Sequence, residues 1–219
     1  MVEPKIGSVK RLKRILATVS AVVCFTASPV SAQCTNINAP KTVEWVNALI
    51  ASAIGDDTAC RTGAPDRDSF ATSTACNIFV GRVMARLYGL TDFKGENNTF
   101  LKANEIAALI PTFDKWEEIG NAGDQVALSA AADAANAGNL VLAVWANPTA
   151  GQPGHVALIG PGPLTKSPAW GGLKTPVAAS FTIDHPEKAF LGQPLACAFG
   201  SAKKSATHIW KYTQIVSLH

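Results

Sequence analysis

Residues 73–88, Ser-Thr-Ala-Cys-Asn-Ile-Phe-Val-Gly-Arg-Val-Met-Ala-Arg-Leu-Tyr, constrain the fold most, because their pattern suits a helix with one buried side. Ile78, Phe79, Val80, Val83, Met84, Leu87 and Tyr88 recur at the helical interval, with Ser73 or Thr74 placed to cap the helix and Gly89 to end it. Cys76 then falls in the first turn. There the partial positive charge of the helix start lowers a thiol pKa, and an ion pair with a histidine would lower it further. About eighty residues later, Gly-His155-Val-Ala-Leu-Ile opens a strand with a histidine directly after Pro-Gly. A cysteine at a helix start and a histidine at a strand start are the residue types of a nucleophile and its base.

The intervening sequence sets the fold class. Residues 43–54 place Val43, Val46, Leu49, Ile50 and Ile54 at helical spacing, with Thr42 as a plausible cap, and residues 55–69 are rich in Gly, Asp, Thr and Pro and read as a loop. A second helix is expected over 101–109, a short strand over 116–119, and an Ala-rich helix over 124–137 closed by Gly138. Residues 140–145, Leu-Val-Leu-Ala-Val-Trp, are continuously apolar and read as a buried strand. Residues 147–154 return the chain for the strand 155–159, which Pro161, Gly162 and Pro163 should stop. Residues 177–183 and 207–216 complete the β content. Helices early and strands late predict an α+β domain, with N-terminal helices packed on a C-terminal antiparallel sheet.

Residues 1–32 differ from the rest: Lys5, Lys10, Arg11, Lys13 and Arg14, an apolar run over 15–25, then Val30-Ser31-Ala32 before Gln33. This is the pattern of a secretory signal peptide, and its apolar run is too short to span a bilayer. Its removal leaves residues 33–219 as one domain, periplasmic or secreted, with no membrane span. It also changes the charge argument. The +3 of the whole chain rests on those five cations, so residues 33–219 hold 14 basic and 15 acidic residues, and nothing points to nucleic acid as a partner.

Export permits disulfides among Cys34, Cys60, Cys76 and Cys197. If Cys76 stays free, one bridge is available. Cys34 to Cys60 is the expected pair, since both flank the first helix, and it would contribute roughly 3 kcal/mol. Cys197, in Leu-Ala-Cys-Ala-Phe, is then a packing residue. The competing reading makes Cys76 itself half of a structural disulfide.

Four histidines are available as a base. His219 is terminal, His185 lies in the turn sequence Ile-Asp-His-Pro, and His208 precedes Ile-Trp-Lys-Tyr; His155 alone opens a strongly apolar strand. Asn77 is placed either to donate a hydrogen bond at such a site or to cap and pack. The histidines lack ligand spacing such as His-Glu-x-x-His, so neither metal nor other cofactor is expected.

The segments Cys76-Asn-Ile-Phe-Val, residues 140–145 and Gly-His155-Val-Ala-Leu-Ile resemble the papain-like amidases of the bacterial cell wall, a group that includes NlpC/P60 and CHAP peptidases and the amidase effectors of type VI secretion. Ser167-Pro-Ala-Trp-Gly-Gly, Pro176-Val177 and Ala198-Phe-Gly are also similar to C-terminal pieces of some members. The resemblance implies a papain-like fold and cleavage of amide bonds in peptidoglycan stem peptides. It further implies a polar third residue, often a histidine, on the strand after the base. No histidine stands there; Ser180 lies at about the right distance, with Thr182 and Asp184 as competitors. Trp170, in a loop near that residue, then becomes a candidate to line the substrate groove. An inhibitory, immunity-type partner would suit a wall hydrolase, although no residue marks one.

Two other classes fit the same residues. A secreted cysteine protease, transglutaminase or acyltransferase would use the same cysteine and histidine on a protein substrate. A non-catalytic binding or inhibitor module would hold Cys76 in a disulfide.

Overall fold

The computed structural model describes residues 76–96, 99–182 and 189–214. The signal-like segment, the expected helix over 43–54 and the Cys34–Cys60 pairing lie outside the described residues.

Three described helices and six strands form an α+β domain: α1 (Cys76–Leu87), α2 (Ala103–Leu109), β1 (Trp116–Asn121), α3 (Gln125–Asn136), β2 (Val141–Trp145), β3 (His155–Lys166), β4 (Lys174–Ser180), β5 (Phe190–Pro194) and β6 (Thr207–Tyr212). The strands form one sheet in the order β1-β6-β2-β3-β4-β5, with every neighbouring pair antiparallel.

The expectation of helices lying on a sheet understates the arrangement, because the sheet is covered on both faces. Phe79, Val80, Val83 and Met84 of α1 and Ile106 of α2 share a core with Leu142, Val144, Val156 and Leu158. On the other face Leu128, Ala131 and Ala135 of α3 pack with Val141, Ala143, Ala157 and Ile159. Neighbouring residues of a strand point to opposite faces, so a central strand covered on both sides must be apolar at every position. That is why residues 141–145 show no alternation: all five are buried between β6 and β3.

Local chemistry fixes the helix ends. The Asp124 carboxylate accepts from the Val126 N–H at 2.9 Å and caps α3. Beyond α1, Gly89 adopts a φ of 66°, open chiefly to glycine, and the Leu90 N–H returns to the Met84 carbonyl at 2.9 Å. The caps expected at Ser73 or Thr74 lie outside the described residues.

The prolines after Ile159 do not stop β3, which runs on to Lys166. The ladder to β4 lapses between Gly160↔Val177 and Thr165↔Thr175, so Pro161 and Pro163 sit where no partner strand asks for an N–H. β5, which the sequence pattern does not announce, pairs along the outer edge of β4.

Candidate active site

The start of α1 and the start of β3 meet at a cavity of about 510 Å³, whose walls include Cys76, Asn77, residues 102–105, residues 151–155 and Thr182. Cys76 is buried and is a free thiol. It belongs to the core beneath α1, which also contains Phe79 and Val156. His155 is 8 % exposed, and its ring stands edge-on to Phe199, part of the core beneath α3, at 5.1 Å between centroids.

The imidazole is held on one side by a hydroxyl. His155 Nε2 and Ser180 Oγ lie 2.8 Å apart, both buried, on the adjacent strands β3 and β4. Thr182 reaches the cavity wall, and Asp184 lies outside the described residues. Among the other histidines, His208 sits exposed in β6 and pairs with Glu118, while His185 and His219 lie outside the described residues.

The electrostatics differ from the expected thiolate at a helix start. Burial raises the Cys76 thiol above its ordinary value of 9.0, against the opposing effect of N–H donors from Val156, Asn77 and Cys76 itself. Burial, aided by the Lys203 charge, lowers His155 to about 4. Lys203 Nζ lies 4.1 Å above the ring of Trp145, the residue paired with His155 across β2 and β3. Each shift favours an uncharged group, so the resting pair near neutrality is a thiol and a neutral imidazole rather than an ion pair. Helix-start stabilisation is outweighed here by removal of the sulfur from water.

Asn77 lines the cavity, but its amide donates to the Phe100 and Leu101 carbonyls at 3.3 and 3.0 Å, fastening α1 to the segment that leads into α2. Trp170 does not line it, which corrects the expectation of a groove residue. It is 1 % exposed, its Nε1–H donates to the Phe199 carbonyl at 3.1 Å, and its own carbonyl accepts from Lys204 Nζ. Its short Pro168–Trp170 turn folds the indole inward.

Cys197 is disulfide-bonded rather than a free packing residue.

Sequence reasoning also passed over Asn104 and Lys203. A polar residue within a short helix and one lysine of a Lys-Lys pair carry no spacing signal; only the folded chain brings them to the β2–β3 turn and to Trp145.

Ser180→Ala tests the held imidazole. Loss of one net hydrogen bond of about 1 kcal/mol predicts a several-fold to tenfold fall in kcat with KM little changed. Steady-state kinetics on the substrate proposed below would check it, and an unchanged kcat would remove Ser180 from the site.

Among the described residues no three His, Cys, Asp or Glu side chains converge as a metal site requires, and no helix is long and apolar enough to cross a membrane. No model of a known protein family matches the chain, and no curated protein matches it.

Proposed function

We propose that this chain is an exported cysteine amidase of papain-like, NlpC/P60-like fold that cleaves amide bonds in peptidoglycan stem peptides. The observation that carries the reading is the meeting at one cavity of a free thiol, Cys76, and an imidazole, His155, whose second nitrogen is held by Ser180. A free Cys76 also argues against the disulfide-bonded module. The proposal includes a signal peptide over residues 1–32, a domain over 33–219 and a periplasmic or secreted location.

The mechanism follows from the neutral resting pair. With Nε2–H donating to Ser180 Oγ, Nδ1 is the nitrogen left to take a proton. As Cys76 Sγ attacks the substrate carbonyl, its proton passes to His155, so charge develops only while the Sγ–C bond forms. Backbone N–H groups at the start of α1, with a donor from the neighbouring loop, stabilise the oxyanion. His155 then protonates the leaving amine as the C–N bond breaks. Water, deprotonated by the same imidazole, hydrolyses the thioester to a carboxylic acid and restores the thiol.

The test is to incubate residues 33–219 and the Cys76→Ala variant with isolated peptidoglycan under reducing conditions and to analyse released fragments by mass spectrometry. New muropeptides from the wild type alone are expected, with mass differences that locate the bond. No release from either across several wall types, together with cleavage of a protein substrate, would replace this reading with that of a secreted protease.

A further inference from the structure

The turn that delivers His155 is held by side-chain amides. Residues 146–154 join β2 to β3. Within the turn, the Asn147 side chain accepts from the Thr149 N–H at 3.0 Å and donates to the Pro153 carbonyl at 3.1 Å. From outside, Asn104 of α2 grips the same turn twice. Its Oδ1 accepts from the Asn147 N–H at 3.0 Å, and its Nδ2 donates to the Gln152 carbonyl at 2.9 Å. Asn104 thus joins α2 to both ends of a turn that forms part of the cavity wall.

Gly154 shows how closely this grip is fitted. A Cβ there would collide with Asn104 Oδ1 and with the Trp145 carbonyl, so the residue before His155 must lack a side chain for the turn to lie against α2. Asn104 spends both ends of its amide on backbone, which makes it a poor candidate for contact with substrate and a good one for holding a wall.

We infer that Asn104 is a positioning residue: by clamping the 146–154 turn onto α2 it sets where β3 begins, and so where the His155 imidazole stands relative to Cys76. The inference rests on the proposed pairing of Cys76 and His155, but its readouts do not require the substrate to be known.

The molecule contains its own control. Asn136, at the end of α3, makes a similar two-point clamp on β3 at Gly162: its Nδ2 donates to the Gly162 carbonyl at 3.1 Å, and its Oδ1 accepts from the Gly162 N–H at 3.0 Å. It lies outside the cavity wall. If amide clamps serve only stability, Asn104→Ala and Asn136→Ala should behave alike.

The experiment compares residues 33–219 with these two variants. The rate of Cys76 alkylation by iodoacetamide is measured, and the His155 imidazole is titrated by NMR in a Cys76→Ala background, with its resonance assigned through His155→Gln. For Asn104→Ala we expect the His155 midpoint to move up from about 4 by one unit or more as the turn opens to water. We also expect the alkylation rate to change at least threefold. For Asn136→Ala we expect neither change, whatever its melting temperature. An unaltered midpoint and alkylation rate in Asn104→Ala would overturn the inference, as would equal changes in both variants. If Asn104→Ala does not fold, Asn104→Ser, whose short hydroxyl cannot span both partners, is read by the same two measurements. Absence of muropeptide release would count against the substrate reading and leave these outcomes unaffected.

Discussion

His155→Gln is expected to lower turnover by about a thousandfold, since a positioned general base contributes roughly 10²–10⁴. The glutamine amide still offers Ser180 a partner, so the loss reports the proton-transfer role rather than the fold. The wild-type profile carries a second signature. In the proposed mechanism the reactive state is thiol plus neutral imidazole, and it disappears as His155 protonates at about 4, so kcat/KM should fall on the acid side near pH 4 and stay level through 6.5. The alkaline limb lies above the ordinary thiol value, because burial raises Cys76. An acid limb near 6.5 would show that the imidazole is not buried as described.

The same group makes stability depend on pH. The unfolded chain binds a proton on His155 near 6.5, whereas the folded chain does so only at about 4, so between those values the unfolded state holds more protons and stability rises with pH. The contribution is complete above 6.5, is lost progressively as pH falls to about 4, and amounts to about 3 kcal/mol. His155→Gln should remove that part of the slope. Urea unfolding at intervals between pH 4 and 7 checks this, and equal slopes in the two proteins would contradict it.

Trp170→Ala should destabilise the domain by about 3–5 kcal/mol and lower the melting temperature by on the order of 10 °C. The indole is 1 % exposed and closes the core beneath α3 together with Phe199, whose ring in turn supports His155. Removing it leaves a cavity and takes the indole N–H donor away from the Phe199 carbonyl. At low temperature the remaining folded protein should keep the KM of the proposed reaction, because no part of Trp170 lines the cavity. A raised KM at unchanged stability would restore it to a substrate groove. The measurements are denaturant unfolding and steady-state kinetics on the same preparations.

Elements with one covered face or two were readable in proportion to how little they depend on distant partners. α1 and α3 follow from local periodicity, and their ends from Gly89, Asp124 and Gly138, because a helix needs only its own backbone and one apolar side. β2 follows from the continuous apolar run over residues 140–145. The extent of β3 did not, since whether Pro161 and Pro163 end a strand depends on what β4 offers opposite them, and β4 offers a break in the ladder. β5 is recognisable only by its pairing with β4. At the candidate site, the residue types of Cys76 and His155 stand out in sequence. The approach of Ser180 to the imidazole needed the register of two strands, and the inward turn of Trp170 needed the carbonyl of Phe199. The titration of the site was least legible: a helix start argues for a thiolate, and only the depth of the sulfur reverses the sign.

A sulfur that stays protonated near neutrality is spared more than premature attack. Peroxide and disulfide exchange both require the thiolate, and a thiol raised above 9.0 exposes under about 1 % of it at pH 7. Cys197, half-buried in its short turn, carries a disulfide in the same chain in which Cys76 remains reduced. Burial thus sets two cysteines apart: Cys197, half-buried, is held in a disulfide, while Cys76 is kept as a protonated thiol of low reactivity toward oxidants.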